Sequence, residues 1–181
     1  MIGSGNEWSL PSGLRNIAPV SGERNMVYTF HLYEPFEFTH QGAAWMGERL
    51  AGLRNLPYPA NAPGCMDAAN AISNAISRDS ARRYCQSGWG TDKLEARIHA
   101  IAEWGRQHDL PVWMGEFGVY WDFTDADSRA RWLHDARILA ENYGIGWAIW
   151  GYDDCFGLDR KWRDGRLVVD ERVRAVMGQS P

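Results

Sequence analysis

The feature that most constrains the fold is an alternation along the chain of short β-rich runs and longer helical ones. Residues 25–33 (Asn-Met-Val-Tyr-Thr-Phe-His-Leu-Tyr) are rich in β-branched and aromatic side chains and predict a strand. Two-residue alternation puts Val27, Thr29, His31 and Tyr33 on one face of it. Val112 to Phe117 and Gly146 to Trp150 predict two further strands. Between the second and third of these strands, Trp132, Ala136, Leu139, Ala140 and Tyr143 mark a helix from Asp125 to Asn142, ended at Gly144. Before the second strand, Leu94, Ile98, Ile101 and Ala102 mark the apolar stripe of a helix reaching about His108. It is capped by Thr91 or Asp92 and stopped at Leu110-Pro111. No hairpin signal is recognised, so the strands should run parallel and be joined by helical crossovers.

The remaining segments fit the same scheme. Residues 34–90 form a long connection with turn clusters at Leu56-Pro57-Tyr58-Pro59 and Ala62-Pro63-Gly64. Within it, Asp67 to Tyr84 is rich in Ala, Asn and Ser and predicts one helix, and a short helix near Glu171 to Met177 closes the chain. Met1 to Gly5 has neither the basic nor the apolar region of a signal peptide. It reads as the tail of a strand entering a turn, with a strand stub at Met1 to Ser4, so the sequence is expected to begin inside a domain.

Composition narrows the function classes. A net charge of −4 with no basic run argues against nucleic acid or an anionic membrane surface as partner. No apolar stretch approaches the roughly 18 residues of a membrane span. Ten Trp, seven Tyr and six Phe serve either a core of large side chains or a carbohydrate groove, where flat rings stack on the C–H faces of sugars. Three cysteines cannot all pair: Cys65 and Cys85 bracket the long connection and either bridge or remain thiols, while Cys155 is distant. No Cys-x-x-Cys or His-rich spacing suggests a metal, and no cofactor is expected.

The chemistry-bearing residues fall at the C-terminal ends of successive predicted strands: His31 with Tyr33, then Glu116, then Trp150. That rim is where a (β/α)8 barrel builds its active site. The segments Tyr28 to Trp45 (YTFHLYEPFEFTHQGAAW), Pro111 to Tyr120 (PVWMGEFGVY) and Gly144 to Leu158 (GIGWAIWGYDDCFGL) strongly resemble glycoside hydrolase family 5, in its bacterial cellulase-type members. The resemblance implies that residues 1–181 form the C-terminal half of the barrel, about strands five to eight with their helices. It implies a retaining hydrolase of β-1,4-glucan, with Glu116 as the nucleophile that forms a glycosyl-enzyme. Tyr33 would hydrogen-bond and orient Glu116, and His31 would help position the sugar and the acid/base. Trp150 would be the platform beneath the sugar, with Trp8, Trp45, Trp89 and Trp121 as weaker subsite candidates.

One part of the family pattern is missing. Retaining hydrolysis needs two carboxyl groups about 5–5.5 Å apart. The family's acid/base is the Glu of an Asn-Glu-Pro motif ending strand four, and this sequence has no such motif. Asn6-Glu7 lies too close to His31 to leave room for two β/α units, since one βαβ unit takes roughly 30 residues or more. Glu7 is therefore rejected as that acid. A half-barrel also exposes strand edges, which implies self-association as a homodimer. The strand-four place would then be taken by a partner's strand eight, with its Asp153 or Asp154 near the vacant acid position. The family further implies a secreted or periplasmic parent enzyme and, in that compartment, a Cys65–Cys85 bridge. The competing reading is a non-catalytic carbohydrate-binding or self-assembling half-barrel. A generic α/β domain without sugar chemistry fits the three strand ends least well.

Overall fold

The computed structural model describes residues 1–3, 9–23, 25–151, 154–157, 159–163 and 166–178, and for 159–163 and 166–169 the backbone alone. Four parallel strands lie side by side in chain order: β1 (Ile2–Gly3), β2 (Tyr28–Leu32), β3 (Val112–Phe117) and β4 (Gly146–Trp147). Sequential parallel order with a crossover between each pair is the arrangement of a β/α barrel wall. β1 and β4 are the outer strands, paired over two residues each.

The crossovers carry α1 (Pro11–Arg15), then α2 (Phe36–Thr39), a 3₁₀ turn (Ala44–Met46), α3 (Glu48–Ala51), α4 (Cys65–Asn70), α5 (Ala75–Ser87) and α6 (Thr91–His108), and finally α7 (Ala126–Asn142). Alternation along β2 decides which face they cover. Tyr28, Phe30 and Leu32 are fully buried with Leu94, Ile98, Ile101 and Trp104 of α6 and Trp132, Leu133 and Ala136 of α7, whereas Thr29 and His31 face the other way and are half-buried.

Several boundaries differ from expectation for local reasons. α6 is preceded by Gly90, with no side-chain cap; the Thr91 hydroxyl instead donates to Asp135 Oδ2 of α7 at 2.6 Å. The single helix expected over 67–84 is two, because the Asn74 side chain accepts from the Ser77 N–H at 2.9 Å and starts a new helix there. α7 is likewise capped by Asp125 on the Ser128 N–H. The ladder of β4 ends at Trp147, although the Ala148 and Trp150 N–H groups still donate to Met114 and Phe117 carbonyls at 2.9 Å.

The expectation of no hairpin is corrected. β5 (Asp159–Arg163) and β6 (Arg166–Val169) pair antiparallel before α8 (Glu171–Val176), which packs on α7. The sequence between the two strands is Asp164-Gly165, a tight-hairpin dipeptide. It is flanked by Arg163 and Arg166, and the apolar residues beyond them do not alternate evenly, so the usual pattern around it is weak. No helix among the described residues is long and apolar enough to cross a membrane.

The 34–90 connection is a packed layer. Cys65 and Cys85 are bridged, joining α4 to α5 with Cα atoms 5.7 Å apart, and Cys155 is free. Gln41, fully buried, clasps Leu56: its Oε1 accepts the Leu56 N–H at 2.8 Å, and its Nε2 donates to the Leu56 carbonyl at 3.2 Å. These contacts tie the stretch after α3 to the end of α2.

Candidate active site

The site is built where β2 and β3 end. Their register slips between Phe30 and His31: Phe30 faces Met114, but His31 faces Glu116. This bulge puts Gly115 and Glu116 between the buried Met114 and Phe117, so Glu116 turns to the face of β2 that carries His31. The surrounding glycines have steric reasons. A Cβ on Gly115 would lie 2.4 Å from Thr29 Oγ1, and one on Gly118 would lie 3.1 Å from the Trp150 carbonyl and 3.2 Å from the Phe156 ring. The Gly-Glu-Phe-Gly sequence is thus what a bulged strand needs to pass close to both neighbours.

Tyr33, just beyond β2, donates its hydroxyl to Glu116 Oε2 at 3.0 Å, and His31 Nδ1 lies 3.3 Å from the same oxygen. Burial and the adjacent Glu116 carboxylate push the Tyr33 phenol far above its ordinary range, so it stays a donor. The side chains of His31 and Glu116 are 22% and 25% exposed, which leaves the carboxylate partly open to solvent.

Behind Tyr33 stands a second layer. Its ring meets His40 at 5.2 Å and Phe156 at 5.9 Å, both edge-on, and Tyr120 stacks on Phe156 at 5.8 Å. His40 is buried, and that burial pushes its pKa down to about 4, so the ring is neutral near neutral pH. Thr39, fully buried, bonds the Tyr33 carbonyl through its hydroxyl, and its own carbonyl accepts the Tyr120 N–H at 2.8 Å. Arg129 of α7, also fully buried, gathers the loops after β3 and β4. Its guanidinium donates to the carbonyls of Val119, Phe156 and Gly157 at 2.6–3.1 Å and reaches Asp170 at 3.8 Å.

The aromatic candidates separate. Trp150 is 45% exposed beyond β4, and the Trp150–Gly151 peptide is cis. Trp45 is 57% exposed and packs edge-on against Tyr120 at 5.1 Å, which ties it to the same cluster. Trp121 is half-buried, its indole N–H donating to the Asp154 carbonyl at 3.2 Å. Trp89 packs against the large core with the Arg97 guanidinium 5.4 Å from its ring. Trp8, Glu7 and Asp153 lie outside the described residues. Among the described residues no group of three or more His, Cys, Asp or Glu side chains converges as a metal site would.

Sequence reasoning passed over Thr39, His40, Tyr120, Arg129 and Phe156. Strand alternation finds residues that share a face, but a helical turn separates His40 from Tyr33. Arg129 occurs in a helix whose polar positions normally face water. The one available signal was helical spacing, which sets Arg129 on the same face as Trp132, Leu133 and Ala136.

Comparison with known proteins agrees with this architecture. Residues 2–155 match the family model described as Cellulase (glycosyl hydrolase family 5). Endoglucanase C of Acetivibrio thermocellus is 30% identical over 168 residues, covering 91% of this chain and 48% of that protein. Endoglucanase 3 of Fibrobacter succinogenes is 28% identical over 149 residues, covering 80% of this chain and 22% of that protein. A solved structure of Thermotoga maritima Cel5A in complex with cellobiose superposes with a TM-score of 0.68 at 25% identity, over 94% of this chain and 45% of that one. The chain thus spans at most about half the length of these relatives, and its fold is a partial (β/α)8 barrel.

Proposed function

The chain belongs to glycosyl hydrolase family 5, and on that premise we propose that it is part of a retaining β-1,4-glucanase with Glu116 as the nucleophile. The observation that carries the reading is the convergence of Tyr33 and His31 on one oxygen of a rim carboxylate. With Oε2 held, Oε1 is assigned to attack. It forms a bond to the anomeric carbon while the glycosidic C–O bond breaks, and water later releases the sugar and regenerates the carboxylate. Tyr33 orients Glu116, His31 positions the sugar, and Trp150 is the platform beneath it. Trp45 and Trp121 extend the groove, and Trp8 is retained as an outer candidate. The proton for the leaving oxygen is assigned to a carboxylic acid outside the described residues. β-Glucan recognition agrees with the endoglucanase names of the relatives and with the cellobiose-bound neighbour.

A 2,4-dinitrophenyl 2-deoxy-2-fluoro-cellobioside tests this directly, because its leaving group needs little protonation. The expected result is a covalent adduct on Glu116, seen by intact mass, with negligible turnover of cellulose by this chain. Glu116→Gln should slow labelling by roughly 10⁴-fold or more. No adduct at high reagent concentration overturns the assignment. Full cellulose turnover by the chain would instead relocate the acid, with Asp154 and Asp153 the first residues to mutate.

Two further assignments go with this reading. The Cys65–Cys85 bridge fits a secreted or periplasmic protein. Among the described residues β1 and β4 are the outer strands of the sheet, and such open edges favour association of two copies. A monomer by light scattering at micromolar concentration would rule that association out.

A further inference from the structure

Tyr33 can orient Glu116 only if its own backbone is held, and the residue that touches it there is Thr39. The Thr39 hydroxyl oxygen lies 2.5 Å from the Tyr33 carbonyl, 3.3 Å from the Pro35 carbonyl and 2.9 Å from His40 Nδ1. A threonine has one hydroxyl proton, and the nearer carbonyl takes it. The oxygen then has only lone pairs to offer His40, so the proton of that contact must sit on Nδ1. His40 is thereby set as the Nδ1–H tautomer, with an unprotonated Nε2, and its ring lies against both Tyr33 and Phe156. The Thr39 carbonyl meanwhile accepts the Tyr120 N–H and so ties the loop after β3 to the loop after β2.

We propose that Thr39 is a positioning residue: through one buried hydroxyl it fixes the main chain of Tyr33 and the tautomer of His40, and so aims Tyr33 at Glu116. Its kinetic consequence rests on the nucleophile reading above, but its geometric consequence does not. Thr39→Val keeps the shape and removes the hydroxyl, and Thr39→Ser keeps the hydroxyl. With the fluoro-cellobioside reagent, Thr39→Val should lower the limiting labelling rate roughly fivefold, about the worth of one neutral hydrogen bond, and leave reagent affinity little changed. Thr39→Ser should restore the rate. The ring ¹⁵N spectrum of the unsubstituted protein should show His40 protonated at Nδ1, and the ¹³Cζ shift of Tyr33, which reports its bond to Glu116, should move in Thr39→Val and return in Thr39→Ser.

An Nε2–H tautomer of His40 overturns the proposal, and this holds even if Thr39→Val fails to fold. So does a folded Thr39→Val with unchanged labelling rate and Tyr33 shift. If the unsubstituted protein takes no label, the nucleophile reading fails and the Tyr33 shift alone decides the role of Thr39.

Discussion

The rim at β2 and β3 and the rim beyond β4 hold their side chains by different means. At the first, Tyr33 and Glu116 are cross-linked by a side-chain hydrogen bond, His31 contacts the same oxygen, and Thr39, His40 and Phe156 pack behind. At the second, Trp150 is attached through its backbone N–H to the Phe117 carbonyl, and its ring is nearly half exposed. The difference follows from what each rim is proposed to do. Bond formation demands one direction of approach, which only several directional contacts can hold. Stacking on a sugar demands exposed flat area and tolerates small displacements. Arg129 stands beneath both, since it binds the carbonyl of Val119 on one side and those of Phe156 and Gly157 on the other.

The largest effect on this contrast should come from removing that shared support. Arg129→Met takes the shared donor from three buried carbonyls and removes the cation beside Asp170, a loss of about 3–5 kcal/mol. Thermal denaturation should show a fall in Tm of roughly 6–20 °C for a chain of this size. An unchanged Tm would mean that the two loops are held independently.

A smaller effect isolates the first rim. Tyr33→Phe retains the ring contacts with His40 and Phe156 but removes the donor to Glu116. A hydrogen bond to a charged group of this kind corresponds to roughly a 10- to 100-fold loss in labelling rate. If the rate holds, His31 alone orients the carboxylate and the hydroxyl is a bystander.

The smallest effect isolates the second rim. Trp150→Ala should weaken reagent binding roughly 2- to 10-fold, in line with one aromatic contact, with the limiting labelling rate little altered. A collapse of that rate instead would show that the platform also takes part in aiming the sugar, and the contrast between the rims would narrow.

Much of this was legible in the residues themselves. Periodicity placed three parallel strands, the long helices over 91–108 and 126–142, and the short closing helix; β2 and the two long helices bury apolar positions at the expected period. The resemblance to family 5, carried by His31, Tyr33, Glu116 and Trp150 at strand ends, agrees with the family match. The β5–β6 hairpin and the break at Asn74 were missed. Each depends on one turn or cap residue set in a stretch whose wider pattern pointed elsewhere.

What the linear order determined by itself was which side chains share a face and which end of a strand they occupy, since both follow from local geometry repeated along the backbone. Only the tertiary structure decided which of them meet. The bulge that turns Glu116 toward His31 arises from pairing with a neighbouring strand, and the Tyr33–Glu116 bond joins residues 83 positions apart. The burial of Arg129 and His40 depends on the loops after β2, β3 and β4 arriving together. Such contacts have no period in the sequence, because they are set by how separate elements pack against one another.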